Sequence, residues 1–375
     1  MHVFSPSTWR LPERRIAPPN SSTCLALLAL LWALLLSGCA ETKYVMHLAP
    51  EAVPAGARVW PGPPEIPRFR YVGQLIGQDN FAPEDGGKRD GGVQLLQWLV
   101  GVFGHDEEKI MLKRPQTGMV GSDGRVYVTD IADHSVLVFD QAAGRLLVWN
   151  QATENRGFVT PIGIAEGRDG EVLVADAELG RVFRLDRDGN PVGSFGKDVL
   201  ERPTGLARDP QRGRIYVADT RAHDVKVFDD DGRLQEVFGH RGEGEGELNF
   251  PTHLAYAGDK LYVTDGMNAR VQVFDLQGRV IASVGRRGLY YGNMTRPKGV
   301  TVDTKGNIYV VESFYDNLLV FNNEGDFLMP IGGTGKEIGQ FYLPSGAWSD
   351  SSNRIYVADM FNGRVVIFQL IGDPG

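Results

Sequence analysis

The sequence is poor in cysteine and histidine, the side chains on which disulfides and most zinc centres depend. Among 375 residues there are two cysteines, Cys24 and Cys39, and seven histidines. Because both cysteines lie near the N-terminus, they cannot form a disulfide framework for the rest of the chain. A Gly-x-Ser-x-Gly motif is also absent, as is a cysteine nucleophile beyond Cys39. An enzyme is therefore the less favoured class of function.

Long apolar runs are scarce as well, and the one that exists has 13 residues, "CLALLALLWALLL". It follows three arginines and is too short for a membrane span, which is typical of a signal peptide. The end of this run and the three residues after it, Leu36-Ser37-Gly38-Cys39, resemble the bacterial lipobox. The resemblance implies a signal peptide over residues 1–38 and lipidation of Cys39; an ordinary signal peptide is the alternative. Ala40 favours the outer membrane of the cell envelope.

An excess of positive charge is missing too. The formal net charge is −8. Without residues 1–38 the basic residues fall from 39 to 36 and the acidic ones from 47 to 46, which gives −10. Nucleic-acid binding requires clustered Lys and Arg to neutralise phosphates. We therefore expect no nucleic-acid partner.

Residues 39–67 contain six prolines and no periodic apolar pattern. Such a composition is typical of a semi-extended linker. The sequence thus predicts a lipidated N-terminus followed by a proline-rich linker, on which the rest of the chain hangs from the membrane.

A repeated phrase dominates the remaining sequence. Strand-like runs end in an acid at intervals of 46, 43, 46, 47 and 47 residues. A proline lies 14 to 16 positions before each acid, and a large apolar residue lies nine positions after it. The six acids are Asp130, Asp176, Asp219, Asp265, Glu312 and Asp359. A period of about 40–50 residues made of short strands predicts an all-β, six-bladed β-propeller with one copy per blade.

Each copy divides into four strands with alternating apolar and polar residues. The fourth copy shows this as "PTHLAYA", "KLYVTD", "RVQVFD" and "RVIASVG". Glycines such as Gly124 and Gly278 lie in the turns after first and third strands, where tight hairpins need positive φ.

The combined pattern resembles the NHL repeat over residues 114–372, and that resemblance implies a six-bladed propeller. Asn268 with Arg270 and Asn362 with Arg364 match the Asn-x-Arg element of the repeat. Arg181 matches only its arginine, and three other blades depart from it at Ser135, Asp224 and Asn317. A shared Asp–Arg pairing is therefore not expected in those three blades.

The sixth copy lacks a fourth strand, because the chain ends at "RVVIFQLIGDPG". Upstream, residues 68–77 have the fourth-strand pattern, and we expect this N-terminal strand to complete the last blade within a propeller of residues 114–375. Closure removes exposed sheet edges. Residues 95–104 are a rival for the same place. If residues 68–77 close the ring, residues 68–113 contain the closing strand and a segment that covers the outside of the ring.

Two features leave a metal-dependent enzyme, such as a propeller lyase or lactonase, as the alternative function. The ring of six acids could hold Ca²⁺ if the carboxylates met at the axis, but an acid repeated in every blade favours a structural role at the end of the second strand. His253 stands where other blades have glycine after the proline, and it is a candidate channel residue. A lone histidine is more often a hydrogen-bonded packing residue than a ligand, so we expect no bound metal.

The loops after second and fourth strands share one face of the propeller, and they carry the most varied sequences. One of the long connections contains a basic–aromatic cluster, and the next loop adds two aromatic residues. The predicted partner-binding residues are Arg286, Arg287, Tyr290, Tyr291, Arg296, Phe314 and Tyr315. Aromatic residues and arginine are common binding hot spots. The sequence thus predicts a scaffold that binds an envelope protein or polysaccharide, unless the tyrosines merely pack against their own loop.

Overall fold

The computed structural model describes residues 43–48, 59–84 and 109–371 of the chain. These residues form a six-bladed propeller in which the first strands of successive blades contact one another in cyclic order. The prediction of an all-β propeller is confirmed. Cys39, the signal segment and residues 95–104 lie outside the described residues.

Blades one to five are antiparallel sheets of four strands in chain order. Blade one contains Pro115–Val120, Val126–Asp130, Ser135–Asp140 and Arg145–Trp149. Blade two contains Pro161–Glu166, Val172–Asp176, Arg181–Leu185 and Pro191–Phe195. Blade three contains Pro203–Asp209, Arg214–Asp219, Asp224–Asp229 and Leu234–Phe238. Blade four contains Pro251–Ala257, Lys260–Asp265, Arg270–Phe274 and Val280–Val284, and blade five contains Pro297–Val302, Ile308–Glu312, Asn317–Phe321 and Phe327–Gly332.

Blade six combines the two ends of the described chain. Its first three strands are Ala347–Ser349, Arg354–Asp359 and Arg364–Leu370. The fourth is the N-terminal strand Phe69–Leu75, which pairs antiparallel with the third strand, and Val59–Trp60 adds a fifth. This is the pairing that the sequence predicts for residues 68–77.

Within residues 39–67, for which the sequence predicts a semi-extended, proline-rich linker, the described part packs against the propeller. Tyr44–Met46 pairs with Phe81–Pro83, and Met46 is buried in the core between blades six and one. The ring of Trp60 packs edge-on against Phe368, with ring centroids 5.2 Å apart. The physical reason is burial, because apolar side chains in a proline-rich segment still gain free energy by leaving water.

Small elements complete the described chain. Gln151–Thr153 and Arg156–Gly157 form a short hairpin after blade one. Single-turn 3₁₀ helices lie at Gln78–Asn80, Arg168–Gly170, Gly266–Asn268 and Met360–Asn362. No helix among the described residues is long and apolar enough to cross a membrane.

The core lies between neighbouring blades and depends on one repeated position. The large apolar residue nine places after each acid is at most 1% exposed in every blade. These residues are Phe139, Leu185, Phe228, Phe274, Phe321 and Phe368. Full burial of such a side chain contributes about 1.5–3 kcal/mol. The repeat therefore positions the strands through packing, and its loops are free to differ.

Candidate functional site

The propeller has two unlike faces. The loops after second and fourth strands meet on one of them, which we call the proline face because each first strand starts there at or near its proline. In blade four the side-chain amide of Asn268 donates to the carbonyl oxygen of Gly242 at 2.8 Å, and the Arg287 guanidinium donates to that of Met267. The opposite face, the hairpin face, carries the tight turns. The predicted sharing of one face by the varied loops is confirmed.

The six repeated acids anchor the loops of the proline face. All are between 0% and 1% exposed. In blade one the Asp130 carboxylate accepts the backbone N–H groups of Lys113 and Arg114, at 2.7 and 2.9 Å, from the incoming connection. It also accepts the N–H of Ala132 in the following loop at 2.9 Å. In every other blade the acid likewise accepts at least one backbone N–H of the incoming connection, so the acids act as structural anchors of the backbone. Within the described residues no three His, Cys, Asp or Glu side chains are placed to share a metal ion.

A cation lies beside the acid in blades three, four and six. In blade four Arg270 Nε is 2.9 Å from Asp265 Oδ2, and in blade six Arg364 Nε is 2.8 Å from Asp359 Oδ2. Burial raises the pKa of Asp359. The hydrogen bonds to its carboxylate, including the one from Arg364, act in the opposite direction. In blade three Lys226 supplies the charge, at 3.0 Å from its acid. The departure of Asp224 from the repeat is thus compensated two residues further along the strand.

Blades one, two and five have no such cation within the described residues, and in blade five a cavity lies beside the acid. The Glu312 carboxylate accepts the N–H groups of Thr295, Arg296 and Phe314 at 2.8 to 3.0 Å, and it forms no ion pair within the described residues. Beside it opens a cavity of about 530 Å³. The cavity is lined mainly by residues 289–293, Glu312, Tyr315, Asn317 and Leu319.

The structure brings together three of the seven predicted binding residues. Tyr290, Tyr291 and Tyr315 line the cavity. The first two are 86% and 80% exposed, so the alternative that they pack against their own loop is wrong. Tyr315 is half-buried and packs edge-on against Phe314, with ring centroids 4.9 Å apart.

The other predicted residues surround the cavity without lining it. Arg286, Arg296 and Phe314 are exposed, and Arg287 connects the loop to that of blade four. Sequence reasoning missed Leu289 and Asn317. Leu289 is 80% exposed beside the tyrosines, and the signal for Asn317 was its departure from the repeat.

His253 closes the central channel from the proline face. Its Nε2 lies 3.0 Å from Oγ1 of Thr117, which belongs to the opposite blade of the ring. Four other blades have glycine at this position, where a side chain would collide with the neighbouring first strand, and blade one has Thr117 itself. The Nδ1 atom accepts the Val300 N–H at 3.4 Å, so Nε2 carries the proton and donates to Thr117.

Burial lowers the pKa of His253 to about 4, which makes the imidazole neutral at neutral pH. Beyond it, the first strands enclose a channel cavity of about 320 Å³ with Trp348 and Tyr256 in its wall and Glu166 and Arg208 also along it. The contacts of His253 fit a hydrogen-bonded hub residue.

Comparison with known proteins decides the family. A family model described as NHL repeat matches residues 200–228, and one described as 6-bladed beta-propeller matches residues 294–374. Human NHL-repeat-containing protein 4 is 34% identical over 88 residues, which are 24% of this chain and 67% of the relative. The chain is an NHL-repeat six-bladed β-propeller. This NHL propeller spans only 11% of the Drosophila melanogaster protein brain tumor, so activities of such longer relatives do not transfer directly.

Solved structures resemble the NHL propeller in fold. A gluconolactonase from Xanthomonas campestris has a TM-score of 0.53 at 17% identity and covers 70% of this chain and 90% of its own. Virginiamycin B lyase from Staphylococcus aureus has a TM-score of 0.50 at 15% identity, with coverages of 69% and 96%. At these identities the likeness establishes the fold alone.

Proposed function

We propose that this NHL propeller is a lipid-anchored binding module of the bacterial cell envelope. In this proposal Cys39 carries the lipid and holds the protein at the outer membrane, and the proline face binds a protein partner at blades four and five. Nucleic acid is not the partner, because the acidic net charge of −8 opposes phosphate.

One observation carries the binding proposal. Tyr290 and Tyr291 are 86% and 80% exposed at the rim of a cavity of about 530 Å³. Large aromatic side chains left in water represent apolar surface that a monomeric protein normally buries. When such residues surround a concave site with polar groups, they are suited to act as binding anchors. Arg286, whose Nε donates to Oδ1 of the cavity residue Asn293 at 3.4 Å, adds hydrogen-bond donors beside the site.

The binding proposal is tested by replacing Arg287, Tyr290 and Tyr291 with alanine. Partners crosslinked to the parent protein in membranes are first identified, and affinity is then measured with the purified partner. We expect the triple variant to bind at least tenfold more weakly with a nearly unchanged melting temperature. A control replaces Arg233, Leu234 and Val237 on the outer edge of blade three, where the two apolar side chains are 43% and 46% exposed. Parental affinity in a folded triple variant would eliminate the site.

The anchor is tested separately through Cys39→Ser. The thiol is the acceptor of the lipid, so the variant should lose fatty-acid labelling and leave the membrane fraction. Cys24→Ser is the matched control, because it removes the other cysteine of the chain without touching residues 36–39. Undiminished labelling of the Cys39 variant would refute lipidation at this residue.

A further inference from the structure

The cavity of blade five occupies a place that an arginine fills in two other blades. In blade four the Arg270 guanidinium donates to the carbonyl oxygens of Gly244 and Glu247, at 2.7 and 3.0 Å, as well as to Asp265. Its side chain thus bridges the buried acid and the incoming connection.

Blade six repeats the arrangement with its own residues. The Arg364 guanidinium donates to Asp359 and to the carbonyl oxygens of Glu337 and Gln340, at 3.2 and 3.0 Å. Two blades therefore use the same three acceptors for one guanidinium.

The three connections correspond residue by residue. Each is closed by one isolated parallel bridge, namely Arg241 to Leu248, Arg287 to Met294 and Thr334 to Phe341. On this correspondence, the acceptors Gly244, Glu247 and Asp265 of blade four match the residues Tyr290, Asn293 and Glu312 of blade five. All three of these blade-five residues line the cavity.

The residue that would fill the cavity is absent. Asn317 stands at the position of Arg270, and its side chain is too short to span from the acid to the connection. Leu319 stands at the position of Gln272, which in blade four donates to Asp265 and to the Glu247 carbonyl. Blade five thus keeps these acceptors but has neither of the two donors that Arg270 and Gln272 supply in blade four.

The negative charge of Glu312 also favours a cation in the cavity. Glu312 is 1% exposed and, like the acids of blades one and two, has no ion-pair partner within the described residues, whereas the acids of blades three, four and six each have one. A buried carboxylate without a counter-ion favours a cation at the adjacent open space. The rings of Tyr290, Tyr291 and Tyr315 lie along that space and can attract a cation through their faces.

We propose that this cavity binds the guanidinium group of an arginine side chain carried by the protein partner. The proposal rests on the proposed function, since it names the chemistry that the partner inserts at the same site. A guanidinium fits better than an ammonium, because its planar fork can reach three separate acceptors at once, as Arg270 and Arg364 do.

The experiment uses a small probe, Nα-acetyl-arginine N-methylamide, titrated into the detergent-solubilised full chain and followed by saturation-transfer NMR. We expect saturable binding at one site. The neutral isostere Nα-acetyl-citrulline N-methylamide should not bind, and the lysine analogue should bind at least fivefold more weakly. Asn317→Arg should abolish binding of the probe, because its own guanidinium then occupies the cavity. Asn323→Arg adds the same charge at an exposed position on the hairpin face and should leave binding unchanged.

The outcomes separate this proposal from the one on which it rests. Equal binding of the citrulline probe, or parental binding by a folded Asn317→Arg variant, would overturn the guanidinium site. Loss of partner capture in the tyrosine variant would still support the binding face. If the captured partner is a polysaccharide without guanidinium groups, the arginine proposal is overturned. If the triple alanine variant still captures the partner, only the proposed binding face is eliminated.

Discussion

Blades four and five have the same strand order, and their incoming connections correspond residue by residue. Each has a buried acid at the end of its second strand, but of the two only blade four supplies its own cation. There Arg270 fills the space between acid and connection, whereas blade five has Asn317 and a cavity of about 530 Å³. At the hub the two blades differ again, with His253 in one and Gly299 in the other. The fold tolerates both versions, because packing of the repeated apolar core is the same in each.

The difference shows how a repeat protein obtains a site without changing its architecture. Each blade is held by its neighbours as well as by its own bonds. One blade can therefore lose an internal ion pair while the ring remains closed. The lost pair leaves acceptors that were already positioned by the repeat, and such preorganised acceptors suit a ligand.

The largest expected effect comes from giving blade four the residue of blade five. Arg270→Asn removes the guanidinium from Asp265, which is fully buried. Breaking a buried pair costs about 3–5 kcal/mol. We expect about 3 kcal/mol, the low end, because Asn268 and Gln272 still donate to the acid. Urea unfolding measures the change, and a loss below about 1 kcal/mol would show that the pair is dispensable in blade four as well.

A smaller effect is expected when His253, at the central channel, is replaced by glycine, the residue at this position in blade five. His253→Gly loses the hydrogen bond to Thr117 and adds backbone freedom, for a loss of about 1–2 kcal/mol at neutral pH. The pKa of this histidine is about 4 in the folded chain and about 6.5 when unfolded, so the unfolded state binds more protons between these values. Folding stability of the parent therefore falls as the pH is lowered from about 6.5 to about 4.

The pH readout isolates the histidine. Thermal melts of the parent should lose more stability across that window than melts of His253→Gly, whose own contribution is gone. The control is His47→Ala, which removes an exposed histidine far from the central channel. If thermal stability changes with pH equally in all three proteins, His253 is not a neutral imidazole shielded from water at the central channel.

The smallest expected effect is the reverse exchange in blade five. Asn317→Arg places a guanidinium between Glu312 and the incoming connection. Filling the cavity in this way should stabilise the fold by about 0.5–1 kcal/mol. The melting temperature reports the gain, with Asn323→Arg as the control of equal charge. A destabilised Asn317→Arg variant would mean that the cavity does not have the shape of the arginine site in blade four.

Sequence reasoning predicted the propeller, the shared face of the loops and the place of the closing strand, because each rests on a pattern repeated in every blade. The apolar position at Phe274 and the acid at Asp265 are two such positions. It failed where a segment has no pattern, as at Trp60 and Met46, whose burial depends on a sheet edge formed by residues some 300 positions away.

The candidate site was predictable in part. Exposed aromatic residues in a varied loop indicated Tyr290 and Tyr291. The cavity was not predictable, because it arises from what Asn317 lacks, and a missing contact becomes visible only when the acceptors at Tyr290 and Asn293 are placed beside it. Likewise, the bond between His253 and Thr117 spans 136 residues and depends on the number of blades that separate them.

The closing strand sets an order of events during synthesis. Leu75 pairs with Val365, so the fourth strand of the sixth sheet meets the third strand only after 290 further residues have been added. At about 5–20 residues per second, that interval lasts roughly 15–60 s. Non-local pairing of this kind slows folding, since the loop entropy must be overcome before the contact forms. Until then the edge of Phe69–Leu75 that later pairs with Arg364–Leu370 is exposed and able to join other chains, so aggregation competes with closure of the ring during this interval.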